Sequence, residues 1–197
     1  MKTAFILFDR MTSMDFVGIF DPLTRLKTMG FLPDFDWAIC SFAAEITDDR
    51  GLRFIPDTVA ASLSNYDLLV VPGGIGTRGL QFNEGFVAWL RTAEPVKLKV
   101  SVCTGALLLG AAGFLDGREA TTHPLALDEL RPYCRHVVAR RIVDEGDIIT
   151  AAGVTASIDL GLHLVERLAG PKARISIAGQ MDYPYKEPER QGTVAVR

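Results

Sequence analysis

The sequence is poor in the residues that build disulfide frameworks and metal sites. Its 197 residues include 3 cysteines and 3 histidines. Cys40, Cys103 and Cys134 form an odd, widely spread set, which excludes a disulfide scaffold and suits a reducing compartment. His123, His136 and His163 have no zinc-ligand spacing with them, so no metal site is expected. An excess of one charge is also missing, since 21 Lys+Arg against 24 Asp+Glu leave a net charge of −3. A weakly acidic chain without a long basic run lacks the electrostatic footprint of nucleic-acid binding. Long apolar runs are absent too: the most apolar later stretch, 106–115, is far too short for a membrane span. The first eight residues have no small-residue cleavage site behind them, so no signal peptide and a cytoplasmic location are expected.

What is present fits one α/β domain. The 48% apolar and 23% charged content is that of ordinary globular chains, and the length leaves too little for a second core of similar size. Ala4 to Phe8, Trp37 to Cys40, Asp67 to Val71 and Lys99 to Val102 read as strands, and their continuous apolar character suits a sheet buried on both faces. Helical spacing runs from Met14 to Met29, with Pro22 expected to kink or divide it, and again over 82–93, 104–112 and 156–168. Short β-pieces are expected at 137–139 and 148–150. Gly170-Pro171 reads as a stop, and 183–197 as a polar C-terminal arm after a single domain spanning 1–182. Strands alternating with helices imply a flavodoxin-like three-layer sandwich with a mainly parallel central sheet.

Ligands of open α/β sheets collect beyond the carboxyl ends of the strands. Three suggestive segments fall there: Met14-Asp15-Phe16, Pro72-Gly73-Gly74 and Val102-Cys103-Thr104-Gly105. The last has the order strand, Cys, small polar residue, Gly, helix, which is the layout of a nucleophile elbow, although Ser101 stands where the elbow pattern has Gly. At a helix N-terminus a Cys103 thiolate would be stabilised, and N–H groups of Thr104 and of Gly73 or Gly74 would face developing negative charge. The same Cys equally suits a small buried apolar position. Asp15, at the start of the first helix, reads first as a helix cap, and a proton-donor role depends on its meeting Cys103 in space. His123 before Pro124 fits the start of a helix, and a structural role is the plainer one for it. Gly73-Gly74-Ile75-Gly76 lacks the Lys-Ser/Thr of a phosphate loop and is not read as one.

These segments together resemble the ThiJ/PfpI superfamily, a branch of the class I glutamine-amidotransferase-like fold. The resemblance rests on the first segment ending in Asp15, on 67–74, on 101–105, on 110–118 with 120–123, and on 150–159. Within it, protease-like members carry His directly after the nucleophile, where this chain has Thr104. Glyoxalase-like and deglycase-like members carry Glu where this chain has Asp15. Asp15 with Cys103-Thr104-Gly105 is similar to the isonitrile hydratase branch, a pattern shared with sensor-like domains of AraC-type regulators. The chain has no room for their helix-turn-helix unit, which argues against DNA binding.

The resemblance implies a Cys103 nucleophile, with Asp15 donating or shuttling the proton and Thr104 and Gly74 orienting the intermediate. Ile19, Phe20 and Val154 are candidates to line an apolar pocket beside Gly73, though each equally suits the core. It implies a small-molecule electrophile as substrate, either an isonitrile or a reactive carbonyl. No metal or organic cofactor is called for, and a homodimer is expected. The rivals are a glutathione-independent glyoxalase and a redox or ligand sensor that performs no turnover.

Overall fold

The structure is a computed structural model that describes residues 1–184, so most of the expected C-terminal arm lies outside the described residues. Strand β1 (Lys2–Leu7) feeds α1 (Ser13–Thr28) and returns through β2 (Asp36–Ser41). Three two-residue strands follow: β3 (Ile46–Thr47), β4 (Arg53–Phe54) and β5 (Thr58–Val59). Next come β6 (Leu68–Val71), the short α2 (Thr77–Leu80), α3 (Glu84–Arg91), β7 (Leu98–Val102) and α4 (Gly105–Ala111). The described chain ends with β8 (Glu119–Ala120), α5 (Leu127–Leu130), β9 (His136–Val137), β10 (Ile142–Asp144), β11 (Ile148–Ala151), α6 (Ala156–Ala169) and α7 (Pro171–Gln180).

Seven strands form the main sheet in the order β10-β11-β7-β6-β1-β2-β5. All its pairings are parallel except β10 with β11, which gives the expected flavodoxin-like sheet with flanking helices. The strands that read as continuous apolar runs take the centre. Nothing in β6, β7 or β11 is exposed, and in β1 only Lys2 is, because helices cover both faces. The piece expected at 137–139 instead pairs β9 with β8 in a separate ribbon.

Two helix boundaries depart from the sequence reading. Pro22 does not divide α1, which runs unbroken from Ser13 to Thr28. Its ring lies against α6, where a Cβ on Gly161 would fall 2.4 Å from Pro22 Cγ, so tertiary packing supports the turn that lacks its N–H. Gly170-Pro171 does stop α6, but Pro171 also opens α7. A proline at the first helical position loses no intrahelical hydrogen bond.

The packing of α1 on α6 fixes the end of α1 that matters below. A Cβ on Gly18 would meet Ser157 Oγ at 2.1 Å, so the helices approach at backbone distance. Ser157 Oγ donates to the Met14 carbonyl at 3.2 Å. These contacts hold the first turn of α1 beside the ends of the central strands.

Candidate active site

Four adjacent strands, β11, β7, β6 and β1, end on the same edge of the sheet, and the segments leaving them converge. Cys103 follows β7 directly and has φ of +55°, a left-handed conformation that costs a non-glycine residue about 1–2 kcal/mol. That strain is held from both sides. The Cys103 N–H donates to the carbonyls of Ala151 (3.0 Å) and Ala152 (3.3 Å), and its own carbonyl accepts from Thr122 Oγ1 at 2.7 Å. The elbow read in the sequence is therefore present, and Thr122, which no motif singled out as a support, is one of its fixings.

Asp15 lies in the first turn of α1, yet it caps nothing. It is fully buried, its Oδ2 accepts from the Gly73 N–H at 3.1 Å, and its carboxyl meets the Cys103 thiol. Oδ1 finds no partner of hydrogen-bonding geometry among the described residues, and the thiol beside it is a weak donor. Burial raises the Asp15 carboxyl to about 7, more than the nearby Cys103 thiol and the Gly73 N–H can offset. Burial, followed by the Asp15 charge, raises the Cys103 thiol to about 12. The expected thiolate at a helix N-terminus is thus corrected: with the Cys103 residue only 6% exposed, desolvation and a neighbouring carboxylate outweigh the opposing hydrogen bonds from the Thr104 backbone and side chain.

The glycine loop after β6 is also committed differently from expectation. The Thr104 hydroxyl accepts from the Gly74 N–H (2.9 Å) and lies 3.0 Å from the Gly74 carbonyl, to which it can donate. Gly73 N–H is taken by Asp15, and its carbonyl accepts from Thr12 N at 2.9 Å. Neither Gly73 nor Gly74 therefore offers a free N–H to a bound molecule; they lock Asp15 and Thr104 in place. Gly153, between β11 and α6, completes the enclosure. A Cβ there would sit 2.7 Å from Cys103 Sγ and 2.9 Å from the His123 ring.

A cavity of about 220 Å³ opens on Cys103 and is lined also by Thr12, Gly74, Ile75, Arg78, Thr104, His123, Leu125 and Val154. Val154 lines this cavity. Ile19 and Phe20 do not: Ile19 is fully buried in the core, and Phe20 packs edge-on against Phe5 and Trp37. Their helical spacing identifies the packed face of α1, and that face looks at the sheet. His123 Nδ1 accepts from the Leu125 N–H at 3.2 Å, starting the short helical turn at Pro124. A larger cavity of about 440 Å³ lies on the far side of Ile75 and Gly76, between Phe8, Phe42 and Phe86, and no cysteine or histidine lines it. No group of three or more possible metal-binding side chains occurs among the described residues.

Thr122→Val keeps the volume but leaves the Cys103 carbonyl without its donor, and about 1–2 kcal/mol of stability should be lost. Cys103 should also alkylate at an altered rate, with Thr122→Ser restoring both. Urea unfolding and alkylation kinetics check this; a Val variant indistinguishable from the parent would remove Thr122 from the elbow.

The DJ-1/PfpI family model matches residues 1–167. The chain is 32% identical over 195 residues to an isonitrile hydratase of Pseudomonas putida, covering 98% of this chain and 83% of that one. It is 27% identical over 178 residues to protein DJ-1alpha of Drosophila melanogaster, covering 88% and 80%. Among solved structures, a ThiJ/PfpI family protein from Pseudomonas syringae superposes with a TM-score of 0.83 at 30% identity, over 98% of this chain and 78% of that one. Elbow, buried carboxyl and matched segments agree, and the chain belongs to the DJ-1/PfpI family.

Proposed function

We propose that the protein is a cysteine-dependent hydratase that adds water to isonitriles and releases N-formamides. The observation that carries this reading is the buried pairing of Asp15 with Cys103, two groups raised by burial, with the carboxyl gaining or losing its proton near neutral pH beside a protonated thiol. An isonitrile needs such a pair, because its terminal carbon accepts a nucleophile only as it takes a proton. That carbon's lone pair receives a proton through Asp15, and a sulfur electron pair forms the C–S bond, giving a thioimidate on Cys103. Asp15, now a carboxylate, takes a proton from water as its oxygen bonds to the same carbon, and passes that proton to nitrogen. The C–S bond then breaks, its electrons return to sulfur, and the hydroxyl proton goes back to the pair. R–N≡C and H2O have become R–NH–CHO, and the enzyme is regenerated.

A carboxyl near 7 suits both the acid and the base step. The likeness to the Pseudomonas putida isonitrile hydratase supports the same reading. A peroxide sensor is less well served, since a thiol pushed up to about 12 supplies little thiolate to oxidise. A glyoxalase would use the same cysteine on a carbonyl, and an assay with methylglyoxal separates the two. The reading also takes 1–182 as one domain that pairs as a cytoplasmic homodimer, and molecular mass in solution tests the pairing. Formamide formation from a simple alkyl isonitrile by the purified protein is the decisive measurement. Turnover lost in Cys103→Ala is expected; no turnover by the intact protein sinks the reading.

A further inference from the structure

The charges around the Cys103 cavity are arranged in an unusual way. Its one permanently cationic side chain is Arg78 of α2, next to the glycine loop. Part of that guanidinium is already engaged, and its charge is balanced by a carboxylate. Its Nε donates to Glu129 Oε2 at 3.0 Å and one terminal nitrogen donates to Oε1 at 2.9 Å, the two parallel bonds of a bidentate pair. Glu129 belongs to α5 and lines only a neighbouring surface groove, which it shares with Arg78, Gln81, Phe82, Pro132 and Tyr133. The pair is therefore a partition between cavity and groove. Arg78 faces both, and Glu129 cancels its charge from the outer side.

The rest of the cavity supplies no second permanent cation; its other polar side chains are His123, Thr12 and Thr104. The Gly73 and Gly74 N–H groups are occupied by Asp15 and Thr104, and Ile75, Leu125 and Val154 are apolar. A bound anion would also lie near the Asp15 carboxyl. We propose that the Arg78–Glu129 pair selects for uncharged substrates, with Glu129 as the residue that keeps anionic electrophiles from Cys103. This deepens the hydratase reading by naming its substrate class as neutral isonitriles, and Glu129 is a specificity residue that touches no reacting atom.

The test uses two reagents of similar size, iodoacetamide and iodoacetate, which react with Cys103 whether or not the protein is a hydratase. Their rates are followed by mass on the peptide that contains Cys103. The intact protein should prefer iodoacetamide. Glu129→Gln frees the Arg78 charge and should raise the iodoacetate-to-iodoacetamide rate ratio by about fivefold at low salt, an advantage that fades when ions shorten the screening length to about 3 Å near 1 M. Arg78→Gln combined with Glu129→Gln should return the ratio to that of the intact protein. An unchanged ratio in Glu129→Gln overturns the proposal, and so does a raised ratio that persists in the double variant. A second arm compares kcat/KM for isocyanoacetate and its uncharged methyl ester, with the ester preferred and the gap narrowed by Glu129→Gln. If neither isonitrile is converted, the hydratase reading falls while the alkylation ratio still decides charge selection.

Discussion

Asp15→Asn is expected to abolish formamide production and at the same time to yield a protein more stable than the parent above pH 7. Asparagine keeps an acceptor for the Gly73 N–H and nearly the same volume, but it cannot relay a proton. Loss of a positioned acid and base should cost at least about a thousandfold in turnover. The stability change follows from linkage. The folded carboxyl is raised from 3.8 to about 7. Between those values the folded state holds a proton that the unfolded chain has released, so stability falls as pH rises through that window and the full cost is borne above it. That cost is on the order of 2–4 kcal/mol for a carboxyl displaced this far. Asparagine has no such dependence. Urea unfolding at pH 4, 6 and 8 should show the variant gaining on the parent with each step. Parallel pH dependences would mean that Asp15 is ionised throughout and cannot deliver the proton.

The same residue shows where the sequence stops being readable. Asp15 in a first helical turn looks like any N-terminal carboxylate, and only the docking of α1 on α6 through Gly18 and Ser157 turns it from the helix end toward Cys103. Cys103 was legible as an elbow candidate because a strand, a small polar residue, a glycine and a helix follow in the elbow order, although a small buried position fits the same order. The central strands were legible for a similar reason, since burial on both faces demands unbroken apolar runs. Ile19 and Phe20 were not, because helical periodicity identifies a packed face without saying whether sheet or cavity lies against it. The Thr122 hydroxyl left no local signal at all: its partner is the Cys103 carbonyl, 19 positions away in sequence. Arg78 and Glu129 are likewise separated by 51 positions and meet only because the glycine loop and the segment after His123 border one cavity. Helix α7 was missed because Gly170-Pro171 reads identically whether the chain stops or starts there.

Gly73→Ala is the structural counterpart of the Asp15 change, and it should disable the site without replacing a catalytic side chain. A Cβ at Gly73 would stand 2.5 Å from Thr104 N, 2.7 Å from Cys103 Cβ and 2.9 Å from Asp15 Oδ2. None of these can yield cheaply. Thr104 N is backbone at the start of α4, Cys103 is already in a left-handed conformation, and Asp15 is enclosed between α1 and the sheet. Gly73 also ties the two walls together, donating to Asp15 and accepting from Thr12, so any shift of its backbone breaks those hydrogen bonds as well. Overpacking of this kind should cost about 2–4 kcal/mol, and the folded fraction should retain no turnover because the Asp15–Cys103 approach is the first thing displaced. Gly79→Ala supplies the control, since nothing lies within 4 Å of its added Cβ in α2. There the methyl should be neutral or slightly stabilising, as alanine is preferred to glycine inside a helix. Urea midpoints and isonitrile turnover measured on both variants decide the matter. A Gly73→Ala protein as stable and as active as Gly79→Ala would mean that the loop, Asp15 and Cys103 are not in the close apposition on which the proposed chemistry depends.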